Sequence, residues 1–86
     1  MTREELITHL KPILAPYTQN KEALEAINED TDFIKDLQIN SANLVDVVLD
    51  VEEEFGIEID NRSMEKMLTV SAAIEIIETK LLEIDR

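Results

Sequence analysis

Asp36-Leu-Gln-Ile-Asn-Ser-Ala-Asn-Leu-Val-Asp-Val-Val-Leu-Asp-Val-Glu-Glu-Glu-Phe55, closed by Gly56, is the stretch whose reading decides the fold. Leu44, Val47, Val48, Val51 and Phe55 recur at intervals of three and four. At about 100° per residue they fall within roughly 60° of one direction, the stripe of a helix against a core. Asn40 and Ser41 are both good N-cap residues, and Gly56 can supply the left-handed C-cap, so the spacing predicts a helix over 41–55. Ala42, Val45 and Leu49 form a second apolar stripe about 130° from the first. Glu52 flanks it on one side, Asp46 and Glu53 on the other. Between Asp36 and Asn61 there are eight acidic residues and no Lys, Arg or His.

The whole chain supports a helical reading. Its 86 residues make one domain, expected to span 1–86. An apolar fraction of 44% supports a packed core rather than a disordered acidic tail. One Gly, two Pro and few aromatics argue against a turn-rich β design, so the expected class is all-α. With 20 acidic and 8 basic residues, the net charge of −12 repels nucleic acid and anionic membranes and suits a basic protein partner. It also favours a monomer. No cysteine, no apolar signal segment at Met1-Thr-Arg-Glu-Glu and no bilayer-length apolar run give a soluble, cytoplasmic expectation.

Outward from the central stretch, Thr2 and Glu5 fit a capping box, and Leu6, Ile7, Leu10, Ile13 and Leu14 carry a first helix over about 3–15. Pro12 predicts a bend or loosening inside it, and Pro16 ends it. His9, the only histidine, reads as a solvated residue of a helix face. Residues 17–40 form a long connection with a helical turn or two near Glu22–Ile27, while Phe33, Ile34 and Leu37 are expected to tuck into the core. Asp30, Asp32 and Asp36 resemble a calcium loop only faintly, lacking its central Gly and terminal Glu. Beyond Gly56, Ile57 and Ile59 sit in an extended link. Asp60 or Asn61 then caps a short helix with Met64, Met67 and Leu68, and Thr69 caps a last one with Val70, Ala73, Ile74, Ile77 and Leu81 inward. The sum is a four-helix bundle of three longer helices and one short one.

Two features of the central helix admit two readings each. The second apolar stripe is a contact surface in an acidic frame, or it is an ordinary scatter of surface valines. Ser41 is a helix cap, or it is a hydroxyl that carries a phosphoryl group at a helix start. No His, Lys or G-x-S-x-G elbow stands close in sequence to activate it, so it reads as a substrate for another enzyme and not as a nucleophile. No acid–base pair or metal-ligand cluster suggests an enzyme.

The sequence resembles the acyl carrier proteins. The resemblance rests on Asp36-Leu37, Ser41 and Glu52-Glu-Glu-Phe55 at matching spacing, followed by Glu58-Ile59, Glu65-Lys66 and Thr69-Val70-Ser-Ala-Ala-Ile74, and it covers about 28–80. It implies an acyl-carrier-like bundle in which a phosphopantetheinyl transferase (holo-carrier synthase) moves 4'-phosphopantetheine from coenzyme A onto Ser41. The arm's thiol would carry acyl thioesters among acyl transferases, ketosynthases and related enzymes of fatty acid or polyketide synthesis. It further implies partner contacts at Ala42, Val45, Asp46, Leu49, Glu52 and Glu53. The motif reads Asn40-Ser41-Ala42 where the family has Asp-Ser-Leu, which puts the choice of transferase and partner enzymes in question. The competing function is an unmodified, carrier-like structural or regulatory module.

Overall fold

A computed structural model of the chain describes residues 2–84. Among the described residues five α-helices follow in order: α1 (Arg3–Leu14), α2 (Lys21–Glu25), α3 (Leu44–Phe55), α4 (Asn61–Lys66) and α5 (Val70–Ile84). The class is all-α with three long helices, as the periodicity predicts. The short helices number two among the described residues, because Lys21–Glu25 closes into a helix capped by Asn20, whose side chain accepts from Ala23 N–H at 3.1 Å.

Local chemistry explains most of the boundaries. Thr2 and Glu5 form the capping box of α1. Pro12 does not interrupt that helix, which continues to Leu14, with Ala15 N–H still donating to the Lys11 carbonyl at 3.0 Å. Its place in the last turn limits the loss to the Thr8 carbonyl's partner. Gly56 ends α3 at φ 65°, ψ 40°, a left-handed conformation that a side chain disfavours. Asp60 caps α4 by accepting from Ser63 N–H at 2.7 Å, which holds its carboxyl below the usual carboxylate range. Thr69 accepts from Ala72 N–H at 3.1 Å at the head of α5.

The buried residues form one cluster: Leu6, Leu10 and Leu14 of α1, Val47, Val48 and Val51 of α3, and Val70, Ala73, Ile74 and Ile77 of α5, joined by Phe33, Leu37, Ile39, Ile57 and Met67. Each large aliphatic or aromatic side chain so buried contributes about 1.5–3 kcal/mol before the cost of ordering. Ile34, expected to tuck into the core, stands exposed, as does Leu68, expected on the short helix. The connection is stitched to the start of α5 by backbone bonds, Phe33 N–H to Leu68 O and Val70 N–H to Thr31 O. Phe33 is buried beside that pairing, while its neighbour Ile34, in the turn over 33–36, faces outward. Leu68 lies beyond α4, in the segment that makes this pairing.

The acidic connection is packed by its own side chains. Asp32 Oδ1 accepts from Ile34 N–H at 2.9 Å and Lys35 N–H at 2.8 Å, and Asp36 Oδ2 accepts from Asp32 N–H at 2.7 Å. These carboxylates cap a turn, which is a structural use for two of the three aspartates, Asp32 and Asp36, that faintly resemble a calcium loop. Gln38 ends the turn at φ 56°, and Ile39 N–H then reaches the Phe33 carbonyl at 2.9 Å. This anchors the chain one residue before the start of the candidate site.

Candidate attachment site and docking face

The segment into α3 opens as a 3-10 turn over Ser41–Asn43, so regular α-helix begins three residues later than the spacing predicts. Asn40, extended at φ −62° and ψ 133°, is the cap. Its Oδ1 accepts from Ala42 N–H at 2.9 Å, and its carbonyl accepts from Asn43 N–H at 2.8 Å. Ser41 is exposed, and its hydroxyl makes no hydrogen bond among the described residues. The choice between two capping residues is thereby resolved in favour of Asn40. Ser41 projects an unengaged primary alcohol from a backbone fixed on both sides, by buried Ile39 before it and by Leu44 N–H bonding to the Ser41 carbonyl after it. The chain's one imidazole, His9, is engaged elsewhere, with Glu54.

Along α3 the two stripes separate as the helical arithmetic requires. Val47, Val48 and Val51 are buried and Leu44 and Phe55 half-buried, whereas Val45 is 47% exposed and Leu49 52%. Ala42, Asp46 and Glu53 are exposed beside them. Asp46 and Glu53 make no hydrogen bond or ion pair among the described residues, so their charges face solvent.

The remaining acids of α3 have structural work that the sequence did not reveal. Glu52 is half-buried, and its Oε2 accepts from Ile59 N–H at 2.6 Å, tying the 57–60 link to the helix. Asp50 accepts the Tyr17 hydroxyl at 2.8 Å, and this bond to an anion, helped by partial burial, raises the phenol's pKa. Glu54 accepts from His9 Nδ1 at 2.9 Å, while the His9 ring meets Phe55 edge-on at 5.7 Å between centroids and 60° between planes. His9 is therefore a half-exposed contact between α1 and α3 rather than a purely solvated residue. Pairings across 45 and 33 residues leave no local pattern to find; only the presence of a single His and a single Tyr could have drawn attention.

Comparison with known proteins agrees with this geometry. Residues 18–77, which include Ser41, match the family described as "Phosphopantetheine attachment site". An acyl carrier protein of Thermotoga maritima is 36% identical over 80 residues, covering 93% of this chain and 96% of the relative. One of Coprothermobacter proteolyticus is 36% identical over 81 residues, with 94% and 96% covered. The solved acyl carrier protein of Enterococcus faecalis superposes with a TM-score of 0.73 at 30% identity, covering 93% of this chain and 99% of that one. Fold and matches together define a small helical protein of the kind that bears a phosphopantetheine arm. The chain belongs to the acyl carrier protein family. Members of that family are carriers rather than catalysts, and their cofactor is 4'-phosphopantetheine.

Proposed function

We propose that Ser41 is the residue that receives 4'-phosphopantetheine and that this single domain delivers acyl thioesters to the enzymes of fatty acid synthesis, or of a related polyketide or specialised lipid route, in the cytoplasm. One observation carries the assignment: Asn40 does the capping, which leaves the exposed Ser41 hydroxyl free. A phosphodiester on that oxygen displaces no hydrogen bond. The bound group supplies a thiol for thioester formation at the end of a flexible arm. What the chain itself does is present the hydroxyl and be recognised. Val45 and Leu49 offer apolar contact, and Asp46 and Glu53 offer charge to the basic docking surfaces of the transferase, acyl transferases and ketosynthases. Ala42 and neutral Asn40 make the ground around Ser41 smaller and less charged than the family's Asp-Ser-Leu, which suits a carrier serving its own set of partners.

The test is intact mass after incubation with coenzyme A and a phosphopantetheinyl transferase. Wild type gains one phosphopantetheine; Ser41→Ala gains none and melts within about 0.5 kcal/mol of wild type, as expected of an exposed residue outside the cap. No gain with several transferases, or a gain that survives Ser41→Ala, overturns the assignment and leaves the unmodified interaction module.

A further inference from the structure

Away from α3, two large apolar side chains stand exposed at one place in the fold: Ile34 at 41% and Leu68 at 42%. Leu68 supplies the carbonyl that Phe33 N–H bonds at 2.9 Å, and Ile34 follows Phe33, so two segments distant in the chain bring one apolar pair together. Asp32 and Thr69 form an isolated antiparallel bridge beside them. The frame of this pair is cationic. Arg62 and Lys66, at i and i+4 on α4, are exposed and make no ion pair among the described residues. Over 61–74 the chain carries these two cations and a single acid, Glu65, although its net charge is −12. The acids of the adjoining segments, Asp32, Asp36 and Asp60, bond the backbone N–H groups of their own turns. Lys35, beside Ile34, lines a separate hollow with Asp30 and Asp36, where its charge is opposed by theirs. The pair is also tied to the start of α3, because the Phe33 carbonyl accepts from Ile39 N–H, two residues before Ser41.

We infer that Ile34 and Leu68, with Arg62 and Lys66, form a docking surface for an acidic, amphipathic segment of a partner protein, which sets an apolar side chain on the pair and a carboxylate against each cation. Its polarity is the reverse of that of α3, so it accepts partners that the acidic helix repels. Charge chooses the occupant. A basic segment is drawn to α3 instead. A second copy brings the same net charge of −12 and is repelled, as is the broad anionic surface of a membrane. A short acidic segment is small enough to meet the patch alone, and screening decides when it does. At about 0.01 M salt the Debye length is about 30 Å, and an acidic segment feels the full charge of a molecule 38 Å in its longest dimension. At about 0.15 M it falls to about 8 Å, and the two cations of α4 act without the distant acids.

The probe is a synthetic amphipathic peptide with Leu flanked by Glu, titrated into the isotopically labelled full chain and followed by amide NMR shifts. Shifts are expected at Ile34, Lys66, Met67 and Leu68. Binding is expected to be about twofold or more tighter at about 0.15 M than at about 0.01 M salt, the reverse of attraction to a net opposite charge. Arg62→Gln with Lys66→Gln is expected to weaken it about fivefold or more. Lys11→Gln with Lys21→Gln makes the same change in net charge on α1 and α2 and is expected to cost far less. Leu68→Ser, at an exposed position outside any helix, is expected to weaken binding with α4 left unaltered. Equal loss in the two charge pairs, or full binding by Leu68→Ser, overturns the site. Equal binding by a peptide with Gln for Glu shows apolar adhesion alone and overturns it too. So do shifts confined to α3, and concentration-dependent shifts at Ile34 and Leu68 without peptide, which mark self-association. Ser41→Ala is expected to bind the peptide as wild type does, so this surface is tested apart from the attachment assignment.

Discussion

The two sides of α3 are built from the same residue types and do opposite things. Inward, Val47, Val48 and Val51 are sealed in the core, while at the margin Asp50 and Glu54 clamp Tyr17 and His9. Outward, Val45 and Leu49 face solvent between Asp46 and Glu53, whose carboxylates make no hydrogen bond or ion pair among the described residues. A valine or a carboxylate on this helix has no fixed role by type. Its angle around the axis decides whether it stabilises the bundle or stays available to a partner. An acidic helix is therefore not one uniform frame, and three of its five carboxylates are already committed to holding His9 of α1, Tyr17 and the 57–60 link in place.

The largest effect that tests this contrast is the same two-methyl deletion on each side. Val51→Ala is expected to cost about 2 kcal/mol, and Val45→Ala no more than about 0.5 kcal/mol, read from urea unfolding midpoints at unchanged m. A loss above about 1 kcal/mol at Val45 would mean that the outer stripe is covered by the chain itself. Next come the charges. Asp46→Lys and Glu53→Lys should each raise the KM of the phosphopantetheinyl transferase several-fold, up to about tenfold, at low salt, with kcat and the melting curve little changed. Asp50→Asn should do the reverse, lowering the melting temperature and leaving KM alone. If both kinds of change move the same quantity, the division of labour fails.

The smallest effect is one of pH. The Tyr17 phenol has its pKa raised in the folded chain by the bond to Asp50, so it favours the native state below the usual phenol value of about 10. That contribution is lost as pH rises through the folded value. Because Tyr17 is the only tyrosine and there is no tryptophan, phenolate absorbance reports it alone. Its midpoint is expected above that of the unfolded chain and should fall back in Asp50→Asn; a midpoint at or below the unfolded value would sink the clamp.

The sequence made legible whatever is local. Capping by Thr2 and Thr69, the left-handed Gly56 and the split of α3 into two stripes all follow from spacing within one or two turns, and spacing narrows the cap of α4 to Asp60 or Asn61. What it concealed depends on contacts distant in the chain. Periodicity could not say that Phe33 turns in while Ile34 turns out, beside a backbone bond to the distant Leu68. Nor could it find Ile39 in the core, the left-handed Gln38, or the Glu52 carboxylate reaching forward to Ile59 N–H. At the site, both Asn40 and Ser41 satisfied the rules for a cap, and only three-dimensional geometry could divide the duties.

That division has a thermodynamic consequence. Coupling between two events requires a contact that one of them changes, and it acts equally in both directions. On the proposed attachment at Ser41, esterifying its oxygen breaks no hydrogen bond at the start of α3, so adding the arm alone is expected to leave the melting curve nearly unchanged, apart from through-space charge that salt screens.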